Sequence, residues 1–351
     1  MIARVVPAES LSADELRRWS EIRQNVPSLT SPFFSPTFTS IVAATRDDVR
    51  VGVLEEDGEL LGFFPFQRGS LGSGRPVGSI LSDYHGAVVP DDASWDAKAL
   101  IRACGLKTWE FDHVVASQTP FAAFHHNRRD SMQIELSAGF EAYMDGVKQA
   151  HGPTITRLGS KTRKLEREHG PLGFAPHTDD PAALAMLLGW KSAQYANTGA
   201  IDILEHQWIR EVLRLTHATQ THDYAGFLSF VFAGSRPIAA HLGIRSGSVC
   251  HSWFPAYDPE FAQYSPGLIL LLKLAAGARQ ANIRTIDLGS GDYRYKRMLM
   301  NRAVPLAAGS VELLSVAASA GRARRVAKSL VRRSAIAPRV RRLARGLLRD
   351  R

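Results

Sequence analysis

Residues 224–296 run YAGFLSFVF (224–232), a turn at Gly234-Ser235-Arg236-Pro237, IAAHLGIR (238–245), a turn at Ser246-Gly247-Ser248, and VCHSWFPAY (249–257). Then follow Ser265-Pro266-Gly267, LILLLKLAAGA (268–278), RTIDLG (284–289), and Ser290-Gly291-Asp292 before Tyr293-Arg294-Tyr295-Lys296. Aromatic and β-branched runs punctuated by Gly and Pro predict strands. The run after Pro266 is too long for a typical strand, and Ser-Pro supplies an N-cap and an N1 proline, so it predicts a helix. That helix is apolar nearly all round and should be buried. The order is β-β-β-α-β, with a helix N-terminus at the open end of a sheet, where free N–H groups and the positive dipole end suit a phosphate.

The same order recurs earlier. VRVGVLEEDGELLGFFPFQR (49–68) predicts a hairpin turning at Glu56-Asp57-Gly58, and PVGSILSDYHGAVV (76–89) a third, interrupted strand. ASWDAKALIRAC (93–104) predicts a helix and KTWEFDHVV (107–115) a strand. Gly58 and Gly234 lie 176 positions apart, and Asp112 and Asp287 lie 175 apart, so two landmarks agree on a duplicated unit. Helices are also expected over 13–24, 140–170, 181–196 and 206–219, with a short helix from Lys296 and a last strand over 309–317. The division expected is 1–135, 136–320 and a basic tail, 321–351.

With 351 residues, 45% hydrophobic and 22% charged, the chain can bury a full core. Two cysteines, Cys104 and Cys250, exclude a disulfide framework and fit a reduced, cytoplasmic setting. The N-terminus lacks the apolar core of a signal peptide, and the apolar run 268–278, broken by Lys273, is too short to span a bilayer. The net charge of +9 belongs to the tail, which carries twelve Lys/Arg against Asp350, so the rest holds 9 − 11 = −2. In that tail Val326, Leu330, Val331, Val340, Leu343 and Leu347 lie among arginines. This suits a basic amphipathic helix on an anionic membrane surface, the alternatives being a disordered tail or nonspecific nucleic-acid binding. No specific nucleic-acid partner is expected.

The candidate chemistry is concentrated in a few places. Ser265, Pro266, Gly267 and Leu268 form either a pyrophosphate seat or simply a capped buried helix; the matching helix in the first unit starts beside Asp91 and Asp92, which would repel an anion. Asp287-Leu288-Gly289-Ser290-Gly291-Asp292 resembles the first motif of Rossmann methyltransferases that bind S-adenosylmethionine, but here a meander precedes it and little chain follows. Asp83, Tyr84 and His85 interrupt an apolar strand, as a substrate-facing loop or a plain turn would. Lys191, Gln194 and Tyr195 share a helix beside Trp190, with Lys191 and Tyr195 on one face, as pocket or as core. The Lys161–Arg167 cluster is an anion site or a solvated face. His125-His126 lacks partners at ligand spacing, so no metal is expected.

Taken as a set, the β-β-β-α-β order, S-P-G, D-L-G-x-G-D followed by Y-K, S-D-Y-H-G and W-K-x-x-Q-Y resemble the CelD-type branch of the GNAT acetyltransferase superfamily. That branch is linked to cellulose and exopolysaccharide synthesis and is similar to the FemAB peptidyltransferases. The resemblance covers roughly residues 10–315. It implies an α/β (α+β) tandem GNAT fold of two mixed sheets flanked by helices, and an acetyl-CoA or other acyl-CoA co-substrate. It also implies a small-molecule or glycan acceptor on a sugar or envelope precursor. The usual Q/R-x-x-G-x-G/A loop is replaced by Gln263-Tyr264-Ser265-Pro266-Gly267. Acyl transfer needs a base for the acceptor and an acid for the leaving thiolate. The resemblance puts Asp287 and Asp292 forward as base or acceptor-orienting groups, Tyr295 as acid and Lys296 as a point charge for phosphate or carboxylate; Asp292, Tyr295 and Lys296 equally suit a cap and a solvated face. The competing readings are a degenerate scaffold of a polysaccharide synthase and a methyltransferase.

Overall fold

A computed structural model describes residues 1–313, so the expected membrane-contacting tail lies outside the described residues. Its first half runs β1 (Ile2–Val6), α1 (Ala13–Asn25), α2 (Pro36–Ala43), β2 (Val49–Glu56), β3 (Glu59–Arg68), β4 (Ser73–Arg75), α3 (Ala97–Ala103), β5 (Thr108–Val115) and β6 (His125–Glu135). The second runs α4 (Phe140–His169), β7 (Leu172–Ala175), α5 (Pro181–Thr198), α6 (Gln207–Ala218), β8 (Ala225–Ala233), β9 (Arg236–Ser246), β10 (Val249–Tyr257), α7 (Pro266–Gly277), β11 (Thr285–Ser290), α8 (Arg294–Leu299) and β12 (Arg302–Glu312).

Both halves contain the expected β-β-β-α-β unit, with two antiparallel pairings followed by a parallel one. The parallel pairs start at Ser73↔Thr108 and Val249↔Thr285, offsets of 176 and 177. The two sheets expected are a single twelve-stranded sheet, ordered β1-β2-β3-β4-β5-β12-β6-β11-β10-β9-β8-β7. They fuse because the last strands are exchanged. β6 leaves the first half to pair with β11, while β12 returns from the second half to pair with β5, and the two exchanged strands pair with each other. The meander in each half is not the alternation of a doubly wound sheet, which removes the methyltransferase reading.

Local sequence accounts for most elements. Ser12 and Glu15 close a reciprocal capping box on α1. Gly199 ends α5 in the left-handed region, as its position after Asn197-Thr198 predicts. The third strand of the first unit is a correction: it is Ser73–Arg75, and residues 76–89 form a loop with a single 3-10 turn, Ser79–Leu81, and isolated bridges at His85 and Val88. Gly78 at φ 78° and Ser79 at φ 48° break the extended run there. Alternation then sorts the core. Leu228, Leu242 and Phe254 face one side with Trp19, Phe63, Leu187 and Val212, so α1, α2, α5 and α6 cover that face across both halves. On the other side α3 packs under the first half, and α4, α7 and α8 under the second. Among the described residues, no helix is long and apolar enough to cross a membrane.

Candidate active site

β10 and β11 pair only from Val249↔Thr285 to His251↔Asp287. Beyond that point they separate, and a cavity of about 460 Å³ opens between them, within the range typical of ligand sites. Its mouth is the start of α7, where Ser265, Pro266, Gly267 and Leu268 all line it; its floor carries Asp83, Lys191 and Lys296.

The helix start differs from the cap expected. Ser265 sits at φ 61°, ψ 51°, and its side chain makes no bond to the helix N–H groups. Its Oγ instead accepts from Lys161 Nζ at 3.0 Å, because α4 brings the basic cluster alongside. A Cβ on Gly267 would meet nothing nearer than Tyr257 at 3.9 Å, so packing does not require glycine there. The missing side chain leaves the uncapped N-terminus of α7 open to the cavity. A second compartment of about 380 Å³ shares Ser265, Leu268, Tyr293 and Tyr295 and adds Arg157, Lys161 and Arg294. Cations therefore ring the helix start.

At the floor, three residues stand in line. Asp287, 1% exposed, accepts from Ser131 Oγ at 2.6 Å, Gln133 Nε2 at 2.7 Å, the Gly289 N–H at 2.7 Å and the Tyr84 hydroxyl. Its Oδ1 lies 3.4 Å from His251 Nδ1, and His251 Nε2 lies 2.9 Å from Asp83 Oδ2. His251 is fully buried, which by itself would lower its pKa; the carboxylates of Asp287 and Asp83 outweigh burial and raise it to about 9. Burial likewise opposes ionisation of Asp287, but its donors and the His251 charge hold it well below the usual carboxylate range. Asp287 is therefore favoured as a carboxylate; it does not itself line this cavity and meets it through His251 and Asp83.

Asp83 is the carboxylate that faces the cavity, held by His251 and by Trp253, whose Nε1 donates to Leu81 O at 2.8 Å. Gly289 makes room for it: at φ 72°, a Cβ there would stand 2.7 Å from Asp83 Oδ2. Lys191 donates to Gln194 Oε1 at 3.2 Å and Pro255 O at 3.1 Å. Burial and the charge of Lys296 lower its pKa to about 8. Lys296 donates to Ser290 O at 2.8 Å, and burial lowers its pKa too, against Asp83 and Asp287. Tyr295 lines the cavity with its pKa raised to about 12 by burial, so it stays protonated.

Other candidates lie elsewhere. Asp292 has a side chain 79% exposed and paired with Arg297 at the surface. It points outward because Gly291 turns the chain at φ 118°. Tyr84 is buried and serves Asp287; a second cavity of about 530 Å³ lies on that side, reached by Arg128 and Arg302. His85 is buried with Nε2 on Ser82 O at 3.0 Å. Tyr195 stands beside Lys191, 5.4 Å from ring centre to Nζ, with a pKa raised to about 12 by burial. Lys161 belongs to the basic cluster offered as an anion site, whereas His251, Ser131 and Gln133 were not singled out from sequence; for these the available signal was a histidine inside an apolar strand, VCHSWFPAY.

Residues 154–297, which hold the splayed strands and α7, match the family described as Acetyltransferase (GNAT) domain. Solved structures share the fold at low identity. FemX superposes with a TM-score of 0.57 at 12% identity, covering 88% of this chain and 96% of its own. The C-terminal domain (DUF2156) of a putative lysylphosphatidylglycerol synthetase from Agrobacterium fabrum gives 0.52 at 11%, covering 85% and 92%. A conserved protein of unknown function from Bacteroides thetaiotaomicron gives 0.54 at 9%, covering 88% and 99%. No curated protein matches the sequence.

Proposed function

We propose, from a chain that carries a GNAT-type acetyltransferase domain over residues 154–297, that the protein transfers an acyl group from a CoA thioester to an amine or hydroxyl of a sugar or cell-envelope precursor. The observation that carries this reading is the cavity between β10 and β11, with an uncapped helix at its mouth and Asp83, Lys191 and Lys296 at its floor.

The mouth suits a polyanionic donor. Pro266 removes one backbone N–H from the helix start, so fewer amides are available than in the usual glycine-rich loop. Lys161, Arg157 and Arg294 supply side-chain cations in their place. The thioester supplies an activated carbonyl. At the floor, Asp83, oriented through His251 by Asp287, holds a hydrogen of the acceptor's neutral amine or hydroxyl. Lys191, partly neutral near its pKa of about 8, takes the acceptor's proton as the C–N or C–O bond forms. Tyr295, protonated beforehand, gives its proton to the departing thiolate and is reprotonated, by way of solvent, with the proton Lys191 has taken. The CelD-type resemblance supports a polysaccharide or glycan acceptor, and the expected setting is the cytoplasmic side of the membrane, with the tail as a surface contact.

Thermal unfolding with CoA, acetyl-CoA, longer acyl-CoAs and S-adenosylmethionine, each in excess, tests the donor class. Ligand at about a hundred times its Kd adds roughly 2.7 kcal/mol of stability. Stabilisation by CoA and its esters alone is expected, and it should weaken in Lys161→Ala. Turnover should fall in Asp83→Asn with that stabilisation intact. Indifference to every CoA compound would sink the reading in favour of a scaffold or an aminoacyl-tRNA donor.

A further inference from the structure

On the first half's side of the seam, Asp112 and His113 of β5 meet His85 from the loop that follows β4, and the donor atoms of the three lie within 4.8 Å of one another. Asp112 Oδ1 stands 3.1 Å from His113 Nδ1 and 3.5 Å from His85 Nδ1. Those separations match the edge of a coordination tetrahedron with bonds of about 2.0–2.2 Å. We propose that His85, Asp112 and His113 bind a zinc-class divalent cation through two imidazole Nδ1 atoms and one carboxylate.

Two further features point to an ion rather than to a plain hydrogen-bonded cluster. First, both imidazoles have their far nitrogens occupied. His85 Nε2 lies 3.0 Å from the Ser82 carbonyl oxygen, which can only accept, so Nε2 carries the hydrogen and Nδ1 presents a lone pair. His113 Nε2 lies 2.8 Å from Ser290 Oγ, which can accept its hydrogen and leave the lone pair on Nδ1. Partners on the second ring nitrogen are the usual companions of metal-ligating histidine. Second, His113, only 8% exposed, has an Nδ1 that is buried without a hydrogen-bond partner, close to Asp112 but poorly aligned with it. A buried nitrogen left in that state is costly unless something binds it.

Access agrees. The Asp112 side chain is 57% exposed, which gives the ion a route in and leaves a fourth position for water. A set of two imidazoles and one carboxylate suits zinc, cobalt, nickel or copper better than magnesium or calcium. The ion would displace one contact, the 3.2 Å hydrogen bond from the His113 N–H to His85 Nδ1. It would tie the segment holding Asp83 to β5, two residues from the carboxylate that faces the cavity.

The test uses full-length protein purified without metal-affinity resin and stripped with chelator, then titrated with Co²⁺ and with Zn²⁺. One equivalent of Co²⁺ should give visible d–d absorption of a four- or five-coordinate nitrogen–oxygen site. Zn²⁺ should raise the unfolding temperature and slow amide hydrogen exchange at His85 and Val88. Asp112→Asn, at an exposed position and with folding checked by circular dichroism, should abolish all three responses, as should His113→Gln. Absence of the absorption band with excess Co²⁺ overturns the site. So does a band that survives both substitutions, which would place the ion elsewhere, for instance at His125-His126.

Discussion

The two β-α-β crossovers of this molecule share a topology and differ in everything a ligand would feel. In the first, β4 is three residues long, and α3 is capped by its own acid: Asp96 Oδ1 accepts the Ala99 N–H at 2.8 Å. In the second, β10 runs for nine residues and leaves β11 after His251, and the start of α7 has no side-chain cap. The strand aspartates diverge likewise: Asp112 is exposed beside two histidines, whereas Asp287 is sealed under four donors. A duplicated scaffold thus yields a pocket in the half where the strands part and the helix start is left open.

The largest expected effect sharpens that contrast at the aspartates. Asp287→Ala leaves His251, Tyr84, Ser131 and Gln133 without their shared acceptor and should cost roughly 3–5 kcal/mol in denaturant unfolding. Asp112→Ala, in chelator-treated protein, should cost within about 0.5 kcal/mol. Equal losses would break the comparison.

A second effect is the pH dependence of stability. His251 has a folded pKa raised from 6.5 to about 9. The stability it contributes is complete below about pH 6.5 and is lost as pH rises through 9. Unfolding curves from pH 6 to 10 should show this fall in the parent and a flatter profile in His251→Gln; identical profiles would remove the ion pair from the account.

Next in size is an exchange of caps. Ser265→Asp gives α7 the acidic start that α3 has, and should weaken acyl-CoA binding about tenfold, roughly 1.4 kcal/mol by calorimetry. Unchanged affinity would mean the donor does not approach the helix start. The smallest effect concerns Asp96→Ala, which should lower stability by about 1 kcal/mol and leave ligand binding untouched.

Much of this was legible in the sequence. Ser-Pro-Gly marked where α7 starts, although not that Ser265 would leave it uncapped, and Asp83 showed as a polar break in an apolar run. Lys191 and Lys296 are the lysines of the W-K-x-x-Q-Y and Y-K motifs, and both line the cavity. What stayed hidden has physical reasons. His251 lies inside an apolar strand, and its partners Ser131 and Gln133 come from β6, whose HHNRRDSMQIE reads as a charged loop. β6 is a strand because β11 and β12 pair with it on both sides, and pairing of that range leaves no local pattern. Asp292 misled through proximity in sequence, since one glycine turned it to the surface.

The exchanged strands have a consequence for how such a chain is made. β5 waits for β12, which begins at Arg302. Synthesis must therefore pass β12 before the first-made half can seal its sheet edge. Until then, the nascent polypeptide carries an unpaired hydrophobic edge, which a chaperone can shield until β12 takes its place.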